Sequence, residues 1–394
     1  MDHYHRDLVL RAHARIGDIP STAWDVCAGT DDPFVSHAFL SALEDSGSAI
    51  PETGWQPQHL TVTGADGEVL GVAPLYLKSH SYGEYVFDWG WAEAYERAGG
   101  RYYPKLQASV PFTPVTGPRF LIRPTADSGG ADYDAVFAAL LSGMMTLAQR
   151  MGVSSLHVTF PTGDEWRRLG EAEFLQRVGH QYIWQNREYT TFDDFLATLT
   201  SRKRKAIRKE RRAVAESGLL LRRLHGSEIE PRHWDAFDQC YRATAAHKWG
   251  HPYLTREFFE HIGERMADRI VLVLAEDDGT PVAGALNLLG GDALYGRNWG
   301  CVGDYPFLHF EACYYQAIEF AIAHGLSRVE AGAQGEHKIQ RGYLPVETYS
   351  AHWIADTGLE DAVRHFLMRE TAMIGHEIEA LTEVGPYRKD TAEE

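Results

Sequence analysis

The chain repeats one order of apolar and polar positions. Short apolar runs at 59–62 and 270–274 each lead into an Asp-Gly pair, which ends at Gly67 in the first copy and at Gly279 in the second. An Asp-Gly pair between β-branched runs favours a β-hairpin, because a type I′ turn needs positive φ at both central residues. A second apolar run and a Tyr-x-x-x-Trp-Gly motif follow in both copies. The pattern therefore predicts two antiparallel meanders of three strands each.

The third strand of each predicted meander ends at a Trp-Gly pair. These pairs end at Gly90 and Gly300, which lie 23 and 21 residues after their turn glycines. A segment with the apolar periodicity of a helix follows in each copy, at about 133–150 and 308–323. Each unit of the repeat is therefore expected to continue from its meander into a helix.

A matching strand is predicted after each of these helices. Gly152 and Gly325 open two segments of the same pattern, and their alignment places His157 and Glu330 at equivalent positions. From the Trp-Gly pair to this strand the first copy has 62 residues and the second has 25. The first copy is therefore expected to carry an insert rich in Tyr, Pro and Gly at about 91–121.

Helices flanking two such sheets predict an α+β fold made of two similar halves. The first half is assigned to residues 1–185 and the second to 186–358, which a basic helix at 201–217 opens. The remaining residues, 359–394, contain a long amphipathic helix that is expected to pack back on the first half.

Length and composition fit this division. The chain has 394 residues, enough for two domains. Its four cysteines form no CxxC pair, and no apolar stretch has the length of a membrane span or the position of a signal-peptide core. We expect a cytoplasmic protein with reduced thiols and no metal site. The net charge of −17 argues against nucleic-acid binding over the whole surface.

The charge is unevenly distributed, however. Residues 202–223 contain ten basic and two acidic side chains, a local balance of +8. Neighbouring cations on a helix repel each other unless anions neutralise them. One interpretation is a polyanion site, for example for the RNA or phosphate part of a substrate, formed by Arg202, Lys203, Lys205 and Lys209. The alternatives are a solvated helix face, or neutralisation by acids of the same chain such as Asp193 and Asp194.

Three segments carry a family resemblance. The basic helix at 201–209, the Pro/Gly loop at 111–118 and the segment His337-Lys338-Ile339-Gln340-Arg341-Gly342-Tyr343 stand in the order found in Fem-type aminoacyltransferases. The sequence most resembles the FemAB-like predicted N-acyltransferases of peptidoglycan biosynthesis or recognition, over about residues 20–385. The resemblance implies two tandem GNAT-like units. It also implies transfer of an acyl or aminoacyl group to an amine, such as a peptide acceptor.

Four side chains are candidates for the chemistry. Glu330 precedes the small residues at 331–333, which allow a substrate to approach the backbone. A carboxylate there could accept the amine proton. Lys338, favoured by the resemblance, could stabilise the oxyanion or bind an anion. Glu311 could be a second carboxylate near Glu330, with His309 beside it, although an acid in the first turn of a helix also has a purely structural explanation.

Further residues are candidates for substrate binding. These are Arg341, His337, Tyr102, Tyr103, Lys105, Arg297 and Trp299, in addition to the cations of the basic helix. The tyrosines and Lys105 belong to the insert, where alternating aromatic and basic groups could contact a sugar ring or a nucleotide.

The acyl donor remains open at this point. CoA-dependent GNAT domains carry a Q/R-x-x-G-x-G/A loop, whereas residues 297–303 read R-x-x-G-x-x-G and Asp304 follows. An acid there would repel a pyrophosphate, so the sequence favours aminoacyl-tRNA or a carrier-protein thioester, with no tightly bound cofactor. Two alternatives stand beside this reading, acyl-CoA-dependent acetylation of a small amine and a non-catalytic recognition module that retains the fold.

Overall fold

A computed structural model describes residues 8–124, 131–248, 250–332 and 335–388. The chain forms two compact units. Unit 1 comprises Met1–Gly179 and Thr348–Met373, and unit 2 comprises His180–Glu347 and Ile374–Glu394. Within the described ranges, no helix combines the length and apolarity needed to cross a membrane.

The strands are, in chain order, β1 (Val9–His13), β2 (Trp55–Pro57), β3 (His59–Thr63), β4 (Val69–Ala73), β5 (Leu75–Lys78), β6 (Lys105–Ala108), β7 (Leu121–Ile122), β8 (Ser155–Thr159), β9 (Leu175–Gln185), β10 (Leu220–His225), β11 (Ile270–Asp277), β12 (Thr280–Leu289), β13 (Ala293–Cys301), β14 (Arg328–Glu330) and β15 (Leu344–Ile354).

The helices are α1 (Ser21–Ala28), α2 (His37–Asp45), α3 (Trp89–Arg97), α4 (Ala131–Met151), α5 (Gly163–Glu171), α6 (Phe192–Thr198), α7 (Ser201–Ala215), α8 (Pro231–Lys248), α9 (Arg256–Arg265), α10 (Leu308–Phe310), α11 (Gln316–Ala323) and α12 (Thr357–Glu383). A single-turn π-helix, Glu311–Tyr315, joins α10 to α11, and a 3-10 helix, Glu336–Arg341, precedes β15.

Unit 1 contains two groups of hydrogen-bonded strands. One is the four-stranded sheet β1-β3-β4-β7, and the other runs in the order β15-β8-β6-β5-β2. In the second group β6 and β8 are parallel, whereas β5 and β6 are antiparallel. One face of these strands packs against α4 in an apolar core that includes Leu106, Leu140 and Leu156. This apolar face explains why the strands read as alternating sequences.

The opposite face of the same strands is polar and buried. Lys78 lies directly across from Lys105, and Gln107 lies across from His157, which in turn pairs with His352 on β15. All five side chains are almost completely inaccessible to solvent. Because buried polar groups need partners, this face is held by a hydrogen-bond network.

The two histidines of this face should make unit 1 sensitive to acid. His157 Nδ1 and His352 Nδ1 share a hydrogen bond of 2.6 Å. Burial lowers the pKa of His157 to about 3 and that of His352 well below its ordinary value. The unfolded chain therefore binds more protons than the folded one between about pH 6.5 and pH 3.

We expect the free energy of unfolding to fall as the pH falls through this window, by about 1.4 kcal/mol per pH unit for each histidine. Urea denaturation between pH 8 and pH 4 measures this slope. The variant His157→Gln/His352→Gln should flatten it. An unchanged slope in that variant would show that other groups cause the acid sensitivity.

Unit 2 contains the strand order β10-β11-β12-β13-β14-β9. Here β13 and β14 form the parallel pair, and the other neighbours are antiparallel. Its core contains Trp184, Phe195, Ile318, Val329 and Tyr343. The parallel pair of each unit has the same register: Gln107 faces His157 in unit 1, and Tyr295 faces Glu330 in unit 2. His157 and Glu330 thus occupy corresponding strand positions, as the sequence repeat predicts.

The first meander differs from the prediction. Residues 85–88 are irregular and α3 begins at Trp89, so the Tyr-x-x-x-Trp-Gly motif marks a strand only in the second copy. The third strand of unit 1 is β6, which lies inside the predicted insert at 91–121. The extra chain instead occupies 79–104, before β6. Trp89 and Gly90 are exposed, which suits a helix surface and not a buried strand.

Two other boundaries also differ. The predicted helix at 308–323 is interrupted by the π-helix. Residues 348–358, which the sequence assigns to the second half, lie in unit 1. Within unit 1 the start of α12 buries Leu359, Val363 and Leu367 against Trp91 and Tyr102.

Candidate functional site

The parallel strands of unit 2 separate at one point. The pairing of β13 with β14 ends at Tyr295 and Glu330. Two residues later β13 bulges, because Leu286 pairs with Asn298 and Asn287 with Gly296, so that Arg297 is the extra residue of the bulge. Bulges are common beside active sites, where they redirect a strand. Gly296 still lies against Glu330 and Ala331, and we call the region between residues 297–301 and the chain that follows Glu330 the gap.

Glu330 lies at the inner end of this gap. Its side chain is buried, and Arg328 Nε donates a hydrogen bond of 3.0 Å to Glu330 Oε1. Arg328 also contacts Asp292 and donates to Tyr295 Oη. Ala331 and Gly332 follow in an irregular segment, and Ala333 lies outside the described residues. The carboxylate of Glu330 is thus oriented by the Arg328 guanidinium.

Lys338 lies in the 3-10 helix that follows the gap. Its side chain is only 2% exposed, and its Nζ donates a hydrogen bond of 2.8 Å to the Gly332 carbonyl. The Tyr182 ring of β9 lies 5.7 Å from Nζ. In the part of the chain that the structure describes, no carboxylate forms an ion pair with Lys338. Burial therefore lowers the pKa of Lys338 to about 7, opposed only by the negative charge available to Cys313.

Aromatic rings surround the same region. The His309 ring contacts Trp299, Tyr314 and His337 at centroid distances of 5.2, 5.3 and 5.8 Å. Tyr314 Oη and His337 Nε2 share a hydrogen bond of 2.9 Å. Tyr314 is buried, His309 and Trp299 are half-buried, and His337 is exposed. The structure thus brings together three candidates, His309, His337 and Trp299, in one partly exposed aromatic cluster beside Lys338.

Arg341 and Glu311 lie in separate ion pairs. Arg341 Nη2 donates to Glu210 Oε1 at 2.8 Å, and the guanidinium lies 3.3 Å from the Phe310 ring centroid. Arg341 is buried there. Glu311, at the start of the π-helix, accepts two hydrogen bonds from Arg211 at 3.0 and 3.1 Å. Both candidates form ion pairs with other residues of unit 2. Glu311 has a structural role, because it binds Arg211 of α7.

The cations of α7 fall into two groups. Arg208 pairs with Asp193 and Arg211 with Glu311 and Glu319, and Lys203 contacts Gln340. Of the others, Arg204 is half-buried and the remaining four are exposed. An exposed stripe at i, i+3, i+7 and i+10 consists of Arg202, Lys205, Lys209 and Arg212. Among the described residues this stripe has no ion-pair partner. Acidic side chains of the same chain thus pair with some cations of α7 and leave those of the exposed stripe without an ion pair.

The three candidates of the predicted insert lie in unit 1. Lys105 is fully buried and donates to Ser81 Oγ at 2.8 Å and to Glu84 Oε2 at 2.7 Å, and it also contacts Asp88 Oδ2. Tyr102 Oη donates to Asp88 Oδ2, and Tyr103 Oη shares a hydrogen bond with Ser81. These residues belong to the polar face of unit 1 and do not form an exposed platform.

Sequence reasoning missed several residues around Lys338 and on the polar face of unit 1. Tyr182 and Tyr314 read as ordinary core positions, and Lys78 reads as the polar end of a short strand. A buried lysine has no local signature, because burial depends on segments far away in sequence. In the described ranges, no three His, Cys, Asp or Glu side chains are arranged to hold a metal ion.

A family model described as peptidoglycan biosynthesis/recognition, FemAB-like, matches residues 15–389. The chain belongs to the FemAB-like family. Membership supports an acyltransferase-type role in peptidoglycan-related chemistry. The comparison with curated protein sequences found no significant match.

Solved structures with a similar fold include three at low sequence identity. FemX is 14% identical, with a TM-score of 0.54 over 88% of this chain and 98% of FemX. The C-terminal domain of a putative lysylphosphatidylglycerol synthetase from Agrobacterium fabrum is 10% identical, with a TM-score of 0.52 over 89% and 95%. L-PGS from Bacillus licheniformis is 10% identical, with a TM-score of 0.50 over 86% and 98%. The α+β fold predicted from sequence, with its likeness to Fem-type proteins, is thereby confirmed.

Proposed function

We propose that this FemAB-like protein is an N-acyltransferase in which the gap between β13 and β14 is the active site. It transfers an acyl or aminoacyl group from an activated donor to an amine of a peptide-type acceptor. The observation that carries this proposal is Lys338, a buried lysine without a carboxylate partner among the described residues. With a pKa of about 7, it can both accept and return a proton at neutral pH.

Lys338 serves as the proton carrier. The acceptor amine attacks the donor carbonyl, so that a C–N bond forms and the C–O or C–S bond to the leaving group breaks. The attacking nitrogen loses one proton to the neutral Lys338 amine, and the resulting ammonium returns it to the leaving oxygen or sulfur. The same ammonium stabilises the developing oxyanion in this proposal.

Glu330 orients the acceptor in this proposal. Its carboxylate, fixed by Arg328, accepts an N–H of the acceptor amine and directs the nitrogen lone pair at the donor. We expect Glu330→Gln to lower kcat/KM about 10- to 100-fold, the worth of one charge-assisted hydrogen bond.

The matched control for this prediction is Asp292→Asn. Asp292 also contacts Arg328 but has an exposed side chain. It should retain near-normal kinetics. Equal losses in both variants would mean that Glu330 acts only by holding Arg328. Steady-state kinetics together with urea denaturation separate this from a loss of folding.

The donor is proposed to carry phosphates, as aminoacyl-tRNA does. The exposed stripe of α7 supports this part, because four like charges on one helix face repel each other unless a polyanion binds there. Each phosphate contact contributes about −0.7 to −0.9 to the slope of log K against log salt concentration.

We expect Arg202→Gln/Lys205→Gln to weaken RNA binding and to reduce this salt slope by about one to two units without unfolding the protein. Fluorescence anisotropy with tRNA at several salt concentrations measures both. Arg101→Gln/Arg150→Gln, which removes two exposed cations of unit 1, is the matched control. An equal effect in the control would show that RNA binds through nonspecific charge and not at the stripe.

A donor panel tests the function itself. Purified protein is incubated with a peptide amine and with aminoacyl-tRNA, an acyl carrier-protein thioester or acyl-CoA, and mass spectrometry detects the acylated amine. We expect product from the tRNA or the carrier donor with the wild type and little with Lys338→Met. Product formed with acyl-CoA but with neither other donor would identify acyl-CoA as the donor and contradict the proposed one. Binding of precursors without product from any donor would favour a recognition module.

A further inference from the structure

The polar face of unit 1 holds two lysines in an unusual position. Lys78 on β5 and Lys105 on β6 are directly opposite each other in the sheet and are both fully buried. Like charges directly across two strands are destabilising, and burying a charge is costly unless it is paired. A pair of facing buried lysines is therefore stable only with an anion beside it.

The anion in the structure comes from a segment that covers these strands. We call residues 79–88 the covering segment. Glu84 Oε2 accepts a hydrogen bond from Lys105 at 2.7 Å, and Glu84 Oε1 lies 4.0 Å from Lys78 Nζ. Ser81 and Asp88 of the same segment also contact Lys105. One carboxylate thus lies between two ammonium groups, as a bound carboxylate or phosphate would.

This arrangement is incompletely satisfied. Glu84 Oε1 and Gln107 Oε1 are buried and have no hydrogen-bond partner among the described residues. Lys78 Nζ has one long hydrogen bond, 3.4 Å to the Tyr82 carbonyl, and lies over the Trp55 ring. Burial raises the pKa of Glu84 to about 7 and lowers that of Lys78 to about 7. The ion pair between Lys78 and Glu84 is therefore weaker than the one between Lys105 and Glu84. The Lys78 side therefore has bonding capacity that Glu84 does not use.

The covering segment is attached through side chains and through the backbone carbonyls of Tyr82, Gly83 and Phe87. It contains no strand, and its inward residues are Ser81, Glu84 and Asp88, whereas Tyr82 and Phe87 are 56% and 57% exposed. Its backbone bonds include Phe112 N to the Gly83 carbonyl. A segment held by exchangeable ion pairs can shift when another anion competes for the same lysines.

We infer that Lys78 and Lys105 form an anion-binding site in unit 1, in which Glu84 occupies the place of a carboxylate or phosphate group of a ligand. Lys105 supplies the fixed charge and Lys78 supplies the free donors. Glu84 is an internal competitor, so the apparent affinity is the intrinsic affinity reduced by the fraction of molecules in which Glu84 has left the site.

The test measures anion binding by calorimetry, with the variant Arg202→Gln/Lys205→Gln/Lys209→Gln as the parent so that α7 does not contribute. Phosphate and pyrophosphate are the phosphoryl probes, and acetate and succinate are the carboxylate probes. We expect Glu84→Gln in this parent to bind at least one probe about tenfold more tightly, because the internal competitor loses its charge. Which probe gains most identifies the anionic group of the ligand.

Two further variants keep the test decisive. Lys78→Met added to Glu84→Gln should abolish the gain, and it leaves the contacts of Lys105 with Asp88 and Ser81 in place. Glu44→Gln is the matched control, because Glu44 is a buried carboxylate of unit 1 bonded to His59 and to the Ile16 amide. No gain in Glu84→Gln, a gain that survives Lys78→Met, or an equal gain in Glu44→Gln would each overturn the inference.

Discussion

Lys338→Met is expected to be nearly inactive and more stable than the wild type. Loss of a general acid–base group lowers the rate by about 10²- to 10⁴-fold. Lys338 is buried without a carboxylate partner in the described part of the chain, and burial lowers its pKa to about 7. Each unit of such a shift represents about 1.4 kcal/mol, so methionine should raise the free energy of unfolding by about 1–4 kcal/mol at pH 7.

The pH dependence follows with a defined sign. The unfolded chain protonates Lys338 up to about pH 10.5 and the folded chain only up to about pH 7, so the folded state gains stability as the pH rises between these values. As a general base Lys338 must be neutral, and kcat/KM should rise with pH and level off above about pH 7.

Chemical rescue separates this role from a structural one. Small amines such as ethylamine should restore part of the activity of Lys338→Ala, because they can occupy the space and carry the proton. Lys338→Arg should remain inactive, since a guanidinium does not deprotonate at neutral pH. Activity close to wild type in Lys338→Arg would assign the residue to charge stabilisation alone.

Lys105→Met is expected to cause the largest loss of stability. It leaves Glu84 and Asp88 buried without their main cation. Removing one partner of a buried ion pair costs about 3–5 kcal/mol, because the remaining charge is uncompensated. Although burial lowers it, the charges of Asp88 and Glu84 together raise the pKa of Lys105 above its ordinary value, so the lysine is charged throughout the neutral range.

Lys78→Met is the matched comparison in the same sheet. Lys78 is as buried as Lys105, but it has one long hydrogen bond and its pKa is lowered to about 7. We expect a change of less than about 1.5 kcal/mol, because methionine fills the same space over Trp55 without an unpaired charge. Urea denaturation of both variants measures the difference. Equal losses would show that the two lysines are held in the same way.

The sequence is most informative where the signal is local. The Asp-Gly turn before β12, the periodicity of α4 and the charge of α7 depend on neighbouring residues, and all three elements form where they were predicted. The repeated Gly-x-Ser segments also place His157 and Glu330 at corresponding strand positions. The Trp89-Gly90 pair misled because the same two residue types suit the exposed start of a helix and the end of a strand.

The candidate site depends on contacts between distant segments, which a single sequence does not encode locally. Lys338 stands out in the sequence only through the family resemblance, whereas its burial comes from Tyr182 and Gly332. Glu311 reads as a free acid at a helix start, but Arg211 from α7 binds it. The polar face of unit 1 was missed for the same reason, since Lys78, Glu84 and His352 lie far apart along the chain.

The protonation of Lys338 itself decides whether this lysine can carry the proton. NMR of the protein with ¹³C-labelled lysine side chains follows each ε-carbon through a pH titration, and Lys338→Arg assigns the signal by its loss. Burial also lowers the pKa of Lys78 to about 7, so this assignment is essential. We expect Lys338 to titrate near pH 7. A value near 10.5, the ordinary pKa of lysine, would contradict it.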